Sequence, residues 1–185
     1  MRILFRCLAL LPMTAGALDL NPQDTFKDLE GVKIPMVEFS DGTHKVRWRP
    51  PNDWRMTYED GRLLLLAKAY THASLEIRVV PRAAGDTAWL DRPDTLTRLI
   101  TTLLPKTATG TAVTGNNDGP FTIGSIAARE FLFDFQEPAH ASRGSMCIVD
   151  LNDRERLIVL ITAQPKDFEA VRSTGIESMF SWQSQ

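Results

Sequence analysis

From Val32 onward the chain alternates apolar and polar positions with a period of two, changes to a helical period, and then returns. Val32, Ile34 and Met36 alternate with Lys33 and Pro35. After turn chemistry at Ser40-Asp41-Gly42-Thr43, Val46 and Trp48 alternate with Lys45, Arg47 and Arg49, which predicts an opening hairpin. Pro50-Pro51-Asn52-Asp53 breaks the pattern, Trp54 to Tyr58 reads as a short strand closed by Glu59-Asp60-Gly61, and Arg62 to Ala69 resumes an apolar strand. Ser74 to Val80 alternates most regularly. Leu75, Ile77 and Val79 share one face and Glu76 and Arg78 the other, so one face of this sheet is expected to be wet.

Leu96, Leu99, Ile100, Leu103 and Leu104 then fall at helical spacing and form one apolar stripe that Pro105 ends. Asp94, after Pro93, is expected to cap the first turn, and Asp86 to Leu90 to form a separate short turn with Trp89 padding the junction. Gly115 to Pro120 reads as turn-rich. In Ala127 to Gln136 the side chains of Phe131, Phe133 and Phe135 line one face, which implies a substantial core. Ser145 to Leu151 and Arg156 to Ala163, joined by Asn152-Asp153-Arg154, read as an antiparallel hairpin. Pro165 suits a first helical turn, after which Phe168, Val171, Ile176 and Met179 make a second stripe, weakened by Gly175. This order predicts an α+β fold, an antiparallel sheet with helices packed on its faces.

The ends of the chain change the picture of where it works. Arg2 and Arg6 precede a short apolar stretch opening at Leu8 to Pro12, and Ala15-Gly16-Ala17 supplies a small-residue cleavage pattern, so Met1 to Ala17 reads as a secretory signal peptide. The stretch is interrupted by Pro12 and is far short of the roughly 20 residues that span a bilayer, which disfavours a stable transmembrane anchor. Cys7 lies before the apolar stretch, not at its end, which disfavours a lipid anchor. Residues 18–31 are polar and lack periodicity, as in an N-terminal arm, and 32–185 are expected to form the one folded domain. The predicted address is exported, periplasmic or extracellular.

Removing Arg2 and Arg6 and no acidic residue takes the formal charge from −2 to −4. A mildly acidic chain with mixed charges carries no basic stripe for nucleic acid. Once the signal is lost, Cys147 is the one remaining cysteine, and its apolar neighbours Met146 and Ile148 predict a buried strand thiol and no disulfide.

Catalytic and cofactor patterns are sparse. His44, His72 and His140 show no metal-ligand spacing and read as solvated loop histidines. No Gly-Xaa-Ser-Xaa-Gly sequence, phosphate loop or Gly-rich dinucleotide fingerprint occurs, so no cofactor, metal or catalytic residue is assigned. Asp134 and Glu137 make a weak carboxylate pair, and Asp150, Asn152, Asp153 and Glu155 lack cation-loop spacing. The most suggestive surface is Arg47, Arg49, Trp54, Arg55 and Tyr58, where cations alternate with aromatics of the types that anchor protein interfaces. The plainer reading makes Trp48 and Trp54 core residues and the arginines ordinary strand charges.

The run Val46-Arg47-Trp48-Arg49-Pro50-Pro51-Asn52-Asp53-Trp54 and the strand Leu75 to Val79 leading to the middle helix resemble the PsbP-like superfamily. So do Ile126 to Phe131, the strand Arg156 to Leu160 and the closing Phe168 to Trp182 helix. The family includes photosystem extrinsic proteins, a nuclear Ran-binding protein and many small exported bacterial proteins. The resemblance covers most of Val32 to Trp182 and implies a non-enzymatic binding or assembly role against a protein partner, with no family site residue carried over. Two other functions stay open: a carrier of a small apolar ligand held between sheet and helices, and a small exported hydrolase with His140 as base and Ser125 or Ser145 as nucleophile.

Overall fold

The computed structural model describes residues 18–40, 45–82 and 92–184. The expected signal peptide at 1–17, Cys7, His44, the expected turn at 86–90 with Trp89, and residues 41–43 of the expected first turn lie outside them. Eleven strands and two helices follow in the order β1 (Asp19–Leu29), β2 (Val32–Ser40), β3 (Lys45–Trp48), β4 (Trp54–Glu59), β5 (Arg62–Ala67), β6 (Ser74–Pro81), α1 (Pro93–Leu103), β7 (Thr109–Ile123), β8 (Ile126–Gln136), β9 (Ala141–Asp150), β10 (Glu155–Ala163), α2 (Phe168–Met179) and β11 (Gln183–Ser184). They build a four-stranded antiparallel sheet, β1-β2-β3-β11, and a seven-stranded one, β4-β5-β6-β10-β9-β8-β7. The described residues form antiparallel sheet with two helices, and sheet dominates.

The layers follow from side-chain alternation. One face of the large sheet packs Leu63, Leu65, Leu75, Ile77, Cys147 and Val159 against α2 and the small sheet, in a core that includes Phe39, Trp48 and Trp182. Trp48 is fully buried and its indole Nε1–H donates to the Ser178 carbonyl at 3.0 Å, which ties β3 to the end of α2. The opposite face packs Phe131, Phe133, Phe135, Met146, Ile148 and Ile158 against Leu96 and Ile100 of α1 and Leu104 at its C-cap. Each fully buried aliphatic chain contributes about 2 kcal/mol, so the α1 stripe suffices to hold that helix on the sheet.

Two glycines permit close packing, and one of them, Gly175, is the residue that the sequence reading treats as a weakness. Gly144 lies opposite Phe133, and a Cβ there would stand 2.1 Å from the ring. Gly175 of α2 lets the helix approach Ile161 and Leu75, whose methyls would lie 2.7 and 3.0 Å from an added Cβ.

Three expectations change. Residues 19–29, expected in a polar arm, form β1, paired along its length with β2 and turning back through Glu30 and Gly31, both at positive φ. Its outer half is solvated on both faces, so no alternation marks it. The turn-rich Gly115 to Pro120 lies inside β7, an edge strand whose register shifts absorb the glycines. Asp94 lies in the first turn of α1 without capping it; Arg92 holds the cap position with no side-chain bond, and Pro93 starts the helix.

Candidate functional site

Helix α1 covers only part of its face of the large sheet. Its buried stripe sits over β8, β9 and β10, and the same face of β5 and β6 is left open beside the helix's C-terminal end. Register gives that surface its pattern: Arg62 lies opposite Arg78, Leu64 opposite Glu76, and Leu66 opposite Ser74, with Leu160 and Thr162 of β10 next to Glu76 and Ser74. Between this floor and Leu103, Leu104, Pro105 and Lys106 runs a cleft of about 830 Å³, within the ~300–1,000 Å³ range of small-molecule sites. Leu66 is 37% exposed within it, an apolar side chain whose burial is unfinished.

Glu76 is buried on the cleft floor and takes hydrogen bonds from two guanidiniums, Arg62 at 3.3 Å and Arg78. Two cations to one carboxylate leave a positive balance. The charged groups lining the cleft as a whole are Arg62, Arg78 and Lys106 against Glu76 and Glu137, a net charge of +1.

His72 and Glu137 line the other end. The β5–β6 and β8–β9 loops bring His72 and His140 together, ring centroids 4.2 Å apart and planes tilted, with His140 Nε2 3.5 Å from Glu137; the expectation of a solvated loop histidine holds for His72, which is exposed, and is corrected for His140, which is half-buried. The Ser142 hydroxyl donates to the same Glu137 carboxylate at 3.2 Å. A serine, a histidine and an acid thus converge in the wrong order for nucleophilic activation. The carboxylate sits between the other two, whereas activation requires the imidazole to take the hydroxyl proton. No cluster of three or more metal-ligating side chains occurs among the described residues.

A second polar cluster lies on the opposite face. Glu130 is fully buried and accepts from Arg172 of α2 through two bonds of 2.6 Å, from Ser145 at 2.5 Å and from Asn117 at 2.8 Å. Burial acts to raise its carboxyl, but the Arg172 guanidinium and the two neutral donors outweigh burial and hold it below its usual value. Beside it the Cys147 thiol is pushed up to about 12 by burial and by the Glu130 charge, so it remains protonated and inert at neutral pH. With Glu130 unexposed and both of its carboxylate oxygens partnered, this cluster latches α2 to the sheet.

The five residues of the cation–aromatic run are divided among surfaces. Arg47 stands on the outer face of the small sheet, 3.1 Å from Glu38, which Lys45 and Arg47 together hold below its ordinary value. Arg49 follows β3 in a hollow beside Phe180, its backbone N–H donating to Ser181 at 2.8 Å. Trp54 packs half-buried on the main core, and Tyr58, on the same strand face, donates its hydroxyl to Asp19 at 2.9 Å. Arg55 points the other way, opposite Leu66 on the cleft side. Sequence reading missed Arg62, Glu76, Arg78, Leu66 and His72 as a group. The alternation of β6 marks Glu76 and Arg78 as polar-face residues, but pairing with β5 is needed to add Arg62.

No family model and no curated protein matches the sequence. Solved structures match in shape. LpqN of Mycobacterium tuberculosis, described as involved in cell envelope biogenesis, is 13% identical with a TM-score of 0.50, covering 90% of this chain and 93% of its own. The cyanobacterial PsbP of Synechocystis sp. PCC 6803 is 10% identical with a TM-score of 0.54, covering 84% of this chain and 96% of its own. The two sheets, the helices on opposite faces of the larger one and this shared shape establish that the chain has a PsbP-like fold.

Proposed function

We propose that this chain is an exported, non-enzymatic binding domain that holds a small apolar or amphiphilic molecule in the cleft between α1 and strands β5, β6 and β10. The observation that carries the reading is the cleft itself, with Leu64 and Leu66 of its floor left partly open beside the end of α1. The order of Ser142, Glu137 and His140 and the inert Cys147 support a non-catalytic role. Export rests on the Met1 to Ala17 pattern, and among the described residues no helix is long and apolar enough to cross a membrane. Titration of the purified chain with the uncharged fluorophore N-phenyl-1-naphthylamine tests the cleft. Saturable micromolar binding is expected, weakened at least about tenfold in Leu66→Asp, since a charge there must be desolvated beside the ligand. Absence of binding to the folded wild type would refute it.

A second reading, assembly against a protein partner, is favoured by the outer end of the β1–β2 hairpin. Phe26 is 51%, Leu29 54% and Val32 65% exposed there, an apolar tip of the kind that anchors interfaces. A photo-crosslinker placed at Leu29 in the native host should yield one discrete adduct in this reading. Diffuse or absent crosslinking at the tip counts against it.

A further inference from the structure

Resting on the cleft reading, we infer that the occupant is a single-chain aliphatic carboxylate, its head group held by Arg62 and Arg78 and its chain laid along Leu64, Leu66 and Leu160. Charge on the cleft floor is unbalanced. Glu76 is buried and Arg62 and Arg78 keep about a third of their side chains in solvent, 34% and 28%. Each guanidinium has five N–H donors in a planar fork, and Glu76 engages one from each. The pair therefore presents donors of the geometry that a carboxylate accepts, already pre-oriented by the acid between them.

Charge sets the valence. The +1 balance of the lining groups is neutralised by one negative charge, and a dianionic head would leave an excess inside a half-enclosed, partly apolar site. The apolar part of the ligand follows from register. Leu64 is level with Glu76 and Leu160, and Leu66 lies one pleat further from the arginines, beside Ser74 and Thr162. A chain leaving the head group along this direction covers the leucines and runs beneath the end of α1, where Leu103 and Leu104 also line the cleft. Arg62 and Arg78 thus supply a cationic grip, and the leucines an apolar track leading from it towards the end lined by His72 and Glu137.

The experiment compares three amphiphiles of equal chain length, dodecanoate, dodecanol and dodecyltrimethylammonium, by calorimetric titration below micellar concentration and at low salt. Dodecanoate is expected to bind about tenfold or more tighter than dodecanol, with the cation weakest, because a charge-assisted pair in a partly desolvated site outweighs a neutral one. In Arg62→Gln/Arg78→Gln the preference for dodecanoate should vanish with dodecanol binding retained. Should that variant fail to fold, Glu76→Gln decides, since removing the competing carboxylate is expected to tighten dodecanoate severalfold and leave dodecanol unchanged. Equal binding of dodecanoate and dodecanol, or preference for the cation, would overturn the carboxylate inference and leave the cleft reading standing. Failure of all three to bind would remove both.

Discussion

Breaking the Glu130–Arg172 pair by Arg172→Met should be costly at neutral pH and progressively less so in acid. The substitution leaves a fully buried carboxylate with two neutral donors, Ser145 and Asn117, and takes away both 2.6 Å guanidinium bonds. Orphaning one member of a buried ion pair costs about 3–5 kcal/mol, and Arg172 is only 22% exposed, so screening reduces that modestly. We expect about 3 kcal/mol at pH 7 by urea unfolding, equivalent to a fall in Tm of roughly 6–12 °C for a chain of this length. The pH dependence separates this cause from lost packing. In the wild type the native carboxyl is held below its ordinary value of 4.5, so its stabilisation is present above that pH and is lost as pH falls through the native value. In Arg172→Met burial dominates and the native value rises above the unfolded one. Stability is then highest below the unfolded value and declines as pH rises through the native one. The gap between the two proteins should therefore close on acidification, and Glu130→Leu added to Arg172→Met should restore much of the loss. A destabilisation that is constant with pH, or strictly additive losses in the double variant, would refute the reasoning.

Other substitutions test the packing. Gly144→Ala should destabilise by about 3 kcal/mol in thermal melts, because a Cβ 2.1 Å from the Phe133 ring must displace it, and Gly144→Ala/Phe133→Leu should recover part of that. Gly175→Ala places a methyl within 2.7 Å of Ile161 and should cost about 1 kcal/mol by urea unfolding, although alanine is the better helix former. Cys147 should react with a thiol reagent at neutral pH only at the rate of global unfolding, measured by labelling across a denaturant series; rapid native labelling would contradict its burial.

Much of the architecture was legible because local patterns there coincide with tertiary burial. The Phe131, Phe133 and Phe135 row, the Leu96 to Leu104 stripe and the Asn152 to Arg154 connection all appear where periodicity places them, whereas β6 keeps Leu75, Ile77 and Val79 on one face but buries Glu76 on the face expected to be wet. The first strand was not legible, since a hairpin end wet on both faces leaves no period in its residues. Nor was β7, where bulges in an edge strand tolerate the glycines and asparagines that elsewhere mark turns.

The cleft shows the same division. The sequence by itself determined that Glu76 and Arg78 share the polar face of β6, that a leucine helix ends at Pro105, and that Cys147 is a core thiol. Tertiary structure alone decided that Arg62 joins them, that α1 stops short of β5, and that the cation–aromatic run is divided among separate surfaces. The reason is physical: alternation is a property of one strand, written in the order of its own residues, whereas a site depends on register between strands and on where a helix ends above them.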